Sequence, residues 1–326
     1  MNAGSGRNTN MRQDKLEVPV VLIVFNRLDT TCRVFERVRM VQPSKLYIVS
    51  DAPRKQKDKE AEKVAEVRRY LETHIDWECE KHFVYADENM GCQGRVSSGL
   101  DHVFQREEMA VILEDDCVPD PDFFRFCQEM LFQYRDDERI MQISGCNLVP
   151  EYKPEGSYFF SVFCSIWGWA TWRRAWEKFD FSMKEYPAFR RKKILYRLFP
   201  ESAAQIIEGE MDRVYDGRMN SWAYRWLLAR MINSGLGITP SVNLIENIGV
   251  GRTDATHTKA RSHYQFATGV MEYPIPVRNG VYRDYIYEKF MASKHYHVNF
   301  VQKMIVRCLP DRAVLKIKAV YYKIKR

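Results

Sequence analysis

Short apolar runs alternate with longer amphipathic stretches through the first half of the chain. The runs are rich in β-branched residues and predict strands buried on both faces. They are Val18–Phe25, Leu46–Ser50, Phe83–Tyr85, Met109–Leu113 and Ile140–Ser144. Helical periodicity predicts four helices. The first begins at Asp29-Thr30-Thr31, the second runs from about Asp58 to Ile75, the third ends near Arg106, and the fourth runs from Asp120 to Tyr134. Strands and helices alternating at these intervals predict right-handed βαβ units and an α/β fold with a mostly parallel central sheet flanked by helices.

The pattern changes after a further predicted strand, Tyr158–Phe163. Six tryptophans crowd a region of about sixty residues for which we predict mostly helix. They are Trp167, Trp169, Trp172, Trp176, Trp222 and Trp226. The segment Leu244–Gly251 ends the regular part. We therefore predict a flexible tail over residues 1–17, one α/β domain over residues 18–260, and a basic, helical C-terminal extension over residues 261–326.

The composition is that of a globular protein but does not by itself identify the function. The chain has 326 residues, a net charge of +7 and 45% hydrophobic residues, which is typical of a globular protein with anionic partners such as phosphates, nucleic acid or lipid head groups. The eight cysteines are scattered without a CxxC pair, so we expect reduced thiols of an intracellular protein rather than disulfides or a structural zinc site. We find neither the apolar core of a signal peptide nor a run long enough to span a bilayer, and we expect a cytoplasmic location.

The candidate chemistry is concentrated after the fourth predicted strand, where Glu114, Asp115 and Asp116 follow Val111–Leu113 directly. Ligands of open α/β sheets bind beyond the carboxyl ends of the strands. Carboxylates there suit Mg²⁺ or Mn²⁺, which proteins commonly hold through one or two carboxylates together with substrate phosphates. The alternative is a solvated acidic turn before a helix, since Asp120-Pro121 has the pattern of an N-cap followed by proline.

Polar residues follow the other strands at the same edge of the predicted sheet. Asn26 and Arg27 follow the first strand, Asp51 the second, and the segment Asn89–Arg95 the third. Asp51 is suited to accept hydrogen bonds from a base or ribose, and Arg27 and Arg95 to bind phosphates. Each residue alone has an ordinary explanation as part of a surface turn. No Walker loop and no GxGxxG fingerprint occurs, which argues against P-loop ATPases and dinucleotide-dependent dehydrogenases.

The tryptophan-rich segment has two interpretations. Indole rings are good core material, but aromatic rings also stack against the apolar face of sugars. Gly168, between Trp167 and Trp169, would allow a ligand to approach the backbone closely.

Four segments together resemble one family. They are Val24–Arg27, Leu113–Asp116 before Pro119, Trp167–Trp172 and Asn247–His257. In this order they resemble type A (Rossmann-like) glycosyltransferases, in particular the N-acetylglucosaminyltransferase I superfamily and related bacterial surface-polysaccharide glycosyltransferases. The resemblance covers roughly Val18 to Thr258 and makes residues 18–260 the expected nucleotide-sugar transferase domain.

The resemblance implies a role for each matching residue. Asp116 would bind the metal directly, with His257 over the diphosphate as a second ligand. Asp115 would contact the ribose or the metal's waters, and Glu114 the donor sugar. The remaining donor contacts would come from Asn26, Arg27, Asp51 and Arg95, and the sugar or acceptor platform from Trp167, Trp169 and Trp222.

The family also implies an inverting reaction in which a carboxylate removes the proton of the acceptor hydroxyl. Relatives tend to carry this base as an Asp directly after a Trp, but here Ala223 follows Trp222. The acids nearby are Glu210, Asp212 and Asp216, and Asp212 and Asp216 are our candidates. Loss of activity, leaving a carbohydrate-binding relative, stays open.

We therefore expect a metal-dependent (Mn²⁺ or Mg²⁺) glycosyltransferase that uses a nucleotide sugar, most simply a UDP-sugar, and a glycan or lipid-linked acceptor of surface polysaccharide synthesis. A sugar nucleotidyltransferase is the alternative, although it normally has a Gly-rich loop after the first strand, and Phe25–Asp29 contains no glycine. Nucleic-acid binding is not expected, because the basic residues are spread out except at the C-terminus. There, a basic amphipathic pattern after Pro310 predicts contact with an anionic membrane surface, with a terminal element packed on the domain as the alternative.

Overall fold

The computed structural model describes residues 16–253 and 266–296. Its strands are β1 (Val20–Val24), β2 (Lys45–Ser50), β3 (Glu80–Tyr85), β4 (Met109–Glu114), β5 (Cys117–Pro119), β6 (Ile140–Ser144), β7 (Tyr158–Ser161), β8 (Trp169–Trp172), β9 (Leu236–Pro240) and β10 (Ile245–Asn247). Its helices are α1 (Leu28–Val41), α2 (Glu60–His74), α3 (Gly91–Phe104), α4 (Pro121–Gln133), α5 (Arg173–Trp176), α6 (Tyr186–Arg191), α7 (Leu195–Leu198), α8 (Glu201–Tyr215), α9 (Trp222–Ile232) and α10 (Tyr285–His295). Every strand and helix predicted in the first half of the chain is present, with ends shifted by a few residues.

The described strands form an eight-stranded sheet in the order β3-β2-β1-β4-β8-β6-β9-β7 and a small antiparallel sheet of β5 and β10. The first four strands are parallel, β6 and β9 are parallel to each other, and β8 and β7 run antiparallel to their neighbours. This confirms the predicted α/β fold, a mostly parallel central sheet flanked by helices.

Helices cover both faces of β1, which is why its sequence is apolar without alternation. Val20, Leu22 and Val24 belong to a core cluster that includes residues of α1 and α4. Val21 and Ile23 belong to a separate cluster that includes residues of α3. Successive side chains of a strand point to opposite faces, so one apolar strand contributes to two cores.

The predicted helical region around the tryptophans is wrong at Trp169–Trp172, which form strand β8. β8 pairs with β4 and β6 in the middle of the sheet. Its alternation places Trp169 in the cluster beneath α3 and α9, and Trp172 in the cluster beneath α4. Aromatic and β-branched residues suit such a two-sided strand, and long-range pairing determined the outcome here.

The described part of the C-terminal extension lies against the α/β domain. The Met271 amide donates to Asp122 over 3.0 Å, and the Asp284 amide donates to the carbonyl oxygen of Phe160 over 2.8 Å. Helix α10 buries Tyr287, Met291 and Ala292. The division of the chain at residue 260 stays a prediction. Within the described ranges, no helix combines the length and apolar character needed to cross a membrane. The basic segment after Pro310 lies outside them.

Candidate functional site

The order of the sheet reverses between β1 and β4. From β1 the chain proceeds outward to β2 and β3 on one side, and β4 then pairs with β1 on the other side. The register places Ile23 opposite Glu114, so the segments that follow β1 and β4 leave the sheet side by side. Such a reversal opens a crevice beyond the carboxyl ends of the two strands, which is where open α/β sheets bind ligands.

Arg27 bridges this reversal. Its guanidinium forms a short ion pair with Asp115 and a second ion pair with Asp116, at 3.0 Å between Nη2 and Oδ2. Burial disfavours the charged form of Arg27, but Asp115 and Asp116 outweigh it and raise its pKa. The Arg27 carbonyl accepts the hydroxyls of Thr30 and Thr31, over 3.3 and 2.7 Å, which fixes the start of α1. The structure thus brings together three of the predicted site residues.

The three carboxylates together carry more charge than Arg27 can balance. Burial, followed by repulsion from Asp116 and Asp115, raises the pKa of Glu114 to about 8. Burial also raises the pKa of Asp115 to about 6, against the opposing effect of Arg27. The Asp115 side chain is 5% exposed and that of Asp116 is 17% exposed, so Asp116 is the carboxylate that solvent reaches more easily.

The donor chemistry here fits a hard divalent cation. Carboxylate oxygens are the ligands that Mg²⁺ and Mn²⁺ prefer, and these carboxylates retain uncompensated charge. Among residues 16–253 and 266–296, no group of three or more His, Cys, Asp and Glu side chains converges to hold an ion by itself. Divalent cations of this kind are commonly held by one or two carboxylates together with the phosphates of a substrate.

A glycine-containing segment lies directly against Asp116. Strand β10 pairs with β5, and beyond it the Ile248 amide donates to the Asp116 carbonyl over 2.9 Å. A Cβ at Gly249 would lie 2.1 Å from Asp116 Oδ2, so only glycine allows this approach. Arg252 then pairs with Asp29 of α1 at 2.6 Å. The predicted segment Asn247–His257 therefore reaches the acidic residues with its first half. His257 itself lies outside the described residues, and its role stays a prediction.

Asp51 makes its contacts on the other side of the crevice. It is buried, and its oxygens accept from the amides of Ala52 and Met90, both over 2.9 Å, and from the Asn89 side chain over 3.1 Å. These bonds fasten the connection between β3 and α3 to the end of β2. Asp51 is therefore used to shape this wall, and a contact with a nucleotide base stays a prediction.

Asn26 and Arg95 also make contacts within the protein. Asn26 donates to Glu60 over 3.0 Å. Arg95 is buried in α3 and donates from Nη2 to the Val84 carbonyl over 2.8 Å, and burial lowers its pKa. No described contact joins either residue to Asp115 or Asp116.

Cys92 lies within electrostatic reach of carboxylates on both sides of the crevice and was not predicted as a site residue. It lies in the first turn of α3 and is exposed. Although part of the residue is exposed, protein atoms surround its thiol, and this desolvation, followed by the effect of four carboxylates, raises its pKa. These are Glu114, Asp115, Asp116 and Asp51. Its position after β3, within a segment interrupted by Gly91 and Gly94, was the available signal in the sequence.

The predicted tryptophan platform is corrected for two of its three members. Trp169 is fully buried and stacks on the buried Trp222, with ring centroids 5.5 Å apart, so neither ring face is open to a ligand. Both side chains are core residues, as the alternative interpretation held. Trp167 is half-buried and precedes β8 at the carboxyl edge. Trp169, two residues later, pairs with both Ile112 of β4 and Ser144 of β6, so Trp167 lies between the ends of these two strands.

Gly168 serves packing rather than ligand approach. Its φ is +57°, and a Cβ there would lie 2.3 Å from Ile245 Cδ1. The backbone is approached by this side chain of β10, which holds the small sheet against the end of β4.

The two candidate bases differ in their surroundings. Asp212 accepts the hydroxyl of Tyr186 over 2.7 Å and pairs with Arg190 at 3.0 Å, within a group of helices. Asp216 ends α8, is half exposed and pairs with Arg218 at 2.7 Å. In the described part of the chain, no contact joins either residue to the acidic cluster.

The connection that follows Asp216 nevertheless reaches the crevice. Asn220 accepts from the Gln93 amide over 3.2 Å, directly beside Cys92. Arg225 of α9 donates to the Gln93 side chain over 2.7 Å. The start of α9 is therefore attached to the start of α3 at the edge of the crevice.

Comparisons with known proteins identify distant structural neighbours. No protein-family model and no curated protein sequence matches this chain. Among solved structures, HddC from Yersinia pseudotuberculosis complexed with GMP-PN matches at 11% identity and a TM-score of 0.30, covering 48% of this chain and 77% of that chain. The 4-diphosphocytidyl-2C-methyl-D-erythritolsynthase from Anaerococcus prevotii DSM 20548 matches at 12% identity and a TM-score of 0.29, covering 54% of this chain and 84% of that chain. At these scores the neighbours carry no argument about activity.

Proposed function

We propose that this protein is a metal-dependent glycosyltransferase that takes a sugar from a nucleoside-diphosphate donor, most simply a UDP-sugar. The observation that carries the proposal is the convergence of Arg27 with Asp115 and Asp116 where the sheet order reverses. A cation and carboxylates at this position fit a diphosphate bound together with a divalent metal ion.

Asp115 and Asp116 differ in solvent exposure, and we assign them different roles on that basis. Asp115 is buried and accepts from two nitrogens of Arg27, so it holds the guanidinium at the mouth of the crevice. Asp116 is more accessible, and its Oδ2, which pairs with Arg27, has Gly249 on its other side, so it is the residue that would hold Mn²⁺ or Mg²⁺. Such an ion would stabilise the negative charge of the leaving diphosphate.

The transfer itself requires attack by the acceptor hydroxyl and removal of its proton. The acceptor oxygen forms its bond to the anomeric carbon as the bond from that carbon to the phosphate oxygen breaks, and the nucleoside diphosphate leaves with the electron pair. The acceptor proton goes to a carboxylate. We place this role on Asp216 rather than Asp212, because Asp212 is bound by both Tyr186 and Arg190. Asp216 also pairs with Arg218, but it is half exposed and opens the connection that reaches Gln93. Trp167 is the residue we propose for the sugar or acceptor side.

The connection between β1 and α1 favours this reaction over nucleotidyl transfer. It consists of only Phe25, Asn26 and Arg27, and α1 begins at Leu28. A sugar nucleotidyltransferase normally surrounds a nucleoside triphosphate with a Gly-rich loop at this point. Here the side chain of Arg27 is already engaged by Asp115 and Asp116.

Product analysis tests the proposal. The protein is incubated with a panel of nucleotide sugars, with and without Mn²⁺, and binding is followed by thermal shift. A ligand that binds only the native state adds about 2.7 kcal/mol of stability at one hundred times its dissociation constant. Bound donors are then offered glycan and lipid-linked acceptors.

We expect Mn²⁺-dependent stabilisation by one class of nucleotide sugar and release of nucleoside diphosphate with acceptor. Release of pyrophosphate from a nucleoside triphosphate and a sugar 1-phosphate would establish the nucleotidyltransferase instead. Stabilisation by free sugars alone, without any nucleotide effect, would indicate a carbohydrate-binding relative.

A further inference from the structure

Helix α10 has apolar residues on its outer face as well as on its inner face. Tyr285, Ile286 and Phe290 are 57%, 60% and 44% exposed, and Tyr282, just before the helix, is 59% exposed. The exposed positions of the helix recur at the spacing of a single face, which also carries Lys289. A helix that is apolar on both faces is normally covered on both sides. Among the described residues, Arg283 lies over the Tyr285 ring at 5.3 Å, and the ring centroids of Tyr152 and Phe290 are 5.8 Å apart, but about half of the outer face is still exposed.

The inner face of α10 is firmly packed, so this exposure does not arise from a loosely attached helix. The Tyr287 ring lies 4.4 Å from that of Phe159, and Asp284 caps the helix by accepting the Tyr287 amide over 3.0 Å. Glu288 is buried and accepts the Val162 amide over 3.0 Å.

In and just before helix α10, the acidic side chains lie on the inner face and Lys289 lies on the outer face. Glu288 points inward and pairs with Arg283 at 2.7 Å, and Asp284 accepts the hydroxyl of Tyr152 over 2.8 Å. Lys289 points outward, and no acid of the described residues lies within ion-pair distance of it. The outer face is therefore apolar and basic, and the acids that would repel an anionic surface are turned inward.

The sequence continues this charge pattern. Residues 297–326, which follow α10, contain eight Lys and Arg and a single acid, Asp311. A second copy of the chain docked on the same face through a twofold axis would bring two Lys289 side chains together. An anionic surface would instead attract Lys289, and a segment of this basic composition adds to the attraction.

We propose that the outer face of α10, formed by Tyr282, Tyr285, Ile286, Lys289 and Phe290, docks on the surface of an anionic lipid bilayer. Tyrosine, phenylalanine and isoleucine enter the interface between head groups and acyl chains, and Lys289 contacts the lipid phosphates. Helix α10 lies with its inner face against β7 at the edge of the sheet, four strand positions from β4. At about 4.8 Å per strand, β7 is roughly 19 Å from β4 across the sheet. The proposal goes beyond the proposed function and does not depend on it.

Co-sedimentation of the full-length protein with vesicles tests the proposal. One set of vesicles contains phosphatidylcholine alone, and the other contains phosphatidylcholine and phosphatidylglycerol in equal parts. Wild-type protein should bind the anionic vesicles and lose binding as salt is added. The double variant Ile286→Ser/Phe290→Ser should bind the anionic vesicles at least about tenfold more weakly, because it loses the apolar insertion. Lys289→Glu should weaken binding roughly fivefold or more, and only to anionic vesicles.

The matched control is Met40→Ser/Phe132→Ser, which removes two similarly exposed apolar side chains from α1 and α4. It should bind vesicles as the wild type does. The proposal is overturned if Ile286→Ser/Phe290→Ser binds anionic vesicles as well as wild type. Unchanged vesicle binding with a lower melting temperature would point to a cover from the same chain. A wild-type dimer that the double variant converts to a monomer in sedimentation velocity would point to a second copy. Nucleotide binding measured without vesicles is unaffected by either result, so the proposed function is tested separately.

Discussion

The half of the sheet formed by β3, β2, β1 and β4 differs from the half formed by β8, β6, β9 and β7 in the sequence distance between paired strands. In the first half, β2 follows β1 and β3 follows β2, each through a single helix, and β4 alone returns from a distance to pair with β1. In the second half, Ile140 of β6 pairs with Leu236 of β9, and where the two halves meet, Met109 of β4 pairs with Trp172 of β8.

The two halves of the sheet contribute differently to the candidate site. The first half delivers the polar residues, because each of its strands ends at the crevice and continues into a short connection that carries them. The second half shapes the wall beside them through close backbone contacts. Gly145, Gly168 and Gly237 all lack room for a Cβ, which would lie within 3.0 Å of a neighbouring side chain. Each polar residue has a local signal in the sequence, whereas the convergence of these residues across β1 and β4 and the shape of the wall beside them depend on distant pairing.

The largest effect should come from the tryptophan at the seam of the two halves. Trp169→Ala removes a fully buried ring and should destabilise the fold by about 4 kcal/mol, measured by urea unfolding. The folded fraction should keep its affinity for nucleotide. Trp167→Ala, at a half-buried position, should cost less stability and should weaken binding of the sugar or acceptor. Wild-type stability of Trp169→Ala would contradict the placement of its ring in the core.

The next effect concerns the first half alone. Arg27→Met leaves the buried Asp115 carboxylate without its cation, and breaking such a pair costs about 3 kcal/mol. The control is Arg33→Met, which removes an exposed pair with Glu246 at 3.4 Å and should change stability by less than about 0.5 kcal/mol. Equal unfolding free energies for the two variants would show that the Arg27 bridge contributes no more than a surface ion pair.

A smaller loss of stability should follow when a close backbone contact in the second half of the sheet is disturbed. Gly168→Ala forces a positive φ on alanine and a clash with Ile245, and it should cost about 2 kcal/mol. Gly209→Ala is the matched control, because Gly209 lies within α8 with no atom within 4 Å of its Cβ position. It should gain roughly 0.5 to 1 kcal/mol through helix propensity. If both glycines tolerate alanine equally, the contact between β8 and β10 is looser than described.

The smallest effect probes a helix end in the first half. Asp120→Ala removes the side chain that accepts the Asp122 amide over 3.1 Å at the start of α4, and should cost about 1 kcal/mol in thermal unfolding. Ser221→Ala is a suitable comparison, because Ser221 precedes α9 without a capping hydrogen bond from its side chain. It should have little effect, and a reversed order of the two would contradict the assigned caps.

The sequence predicted those features whose signal is local. The apolar run of β1, the helical spacing of α1 and the N-cap at Asp120 each depend on a few neighbouring residues, and all are present. Strand β8 was missed because four residues spaced Trp-Ala-Thr-Trp were grouped with the helices around them. Strand β9 was not predicted either, since Leu236–Pro240 contains a glycine and a proline, which disfavour strands.

Within the site, the same division holds. The acidic triplet at the end of β4 and the polar residues after β1 were predicted from their position after a strand. The contact between Arg27 and Asp115 joins residues 88 positions apart, and it follows only from the register of β1 on β4. The use of Asp51 to hold Asn89 and Met90 likewise depends on where β3 lies beside β2. These arrangements required the fold.

The most direct test of the central claim is a titration of Mn²⁺ followed by electron paramagnetic resonance, which reports the free ion. Wild type and Asp116→Asn are compared in the presence and absence of a nucleoside diphosphate. We expect wild-type protein to remove free Mn²⁺ strongly only when the nucleotide is present, and Asp116→Asn, folded to the same extent, to lose most of that binding. Equal binding of Mn²⁺ and nucleotide by Asp116→Asn and wild type would contradict a metal-dependent diphosphate site at the junction of β1 and β4.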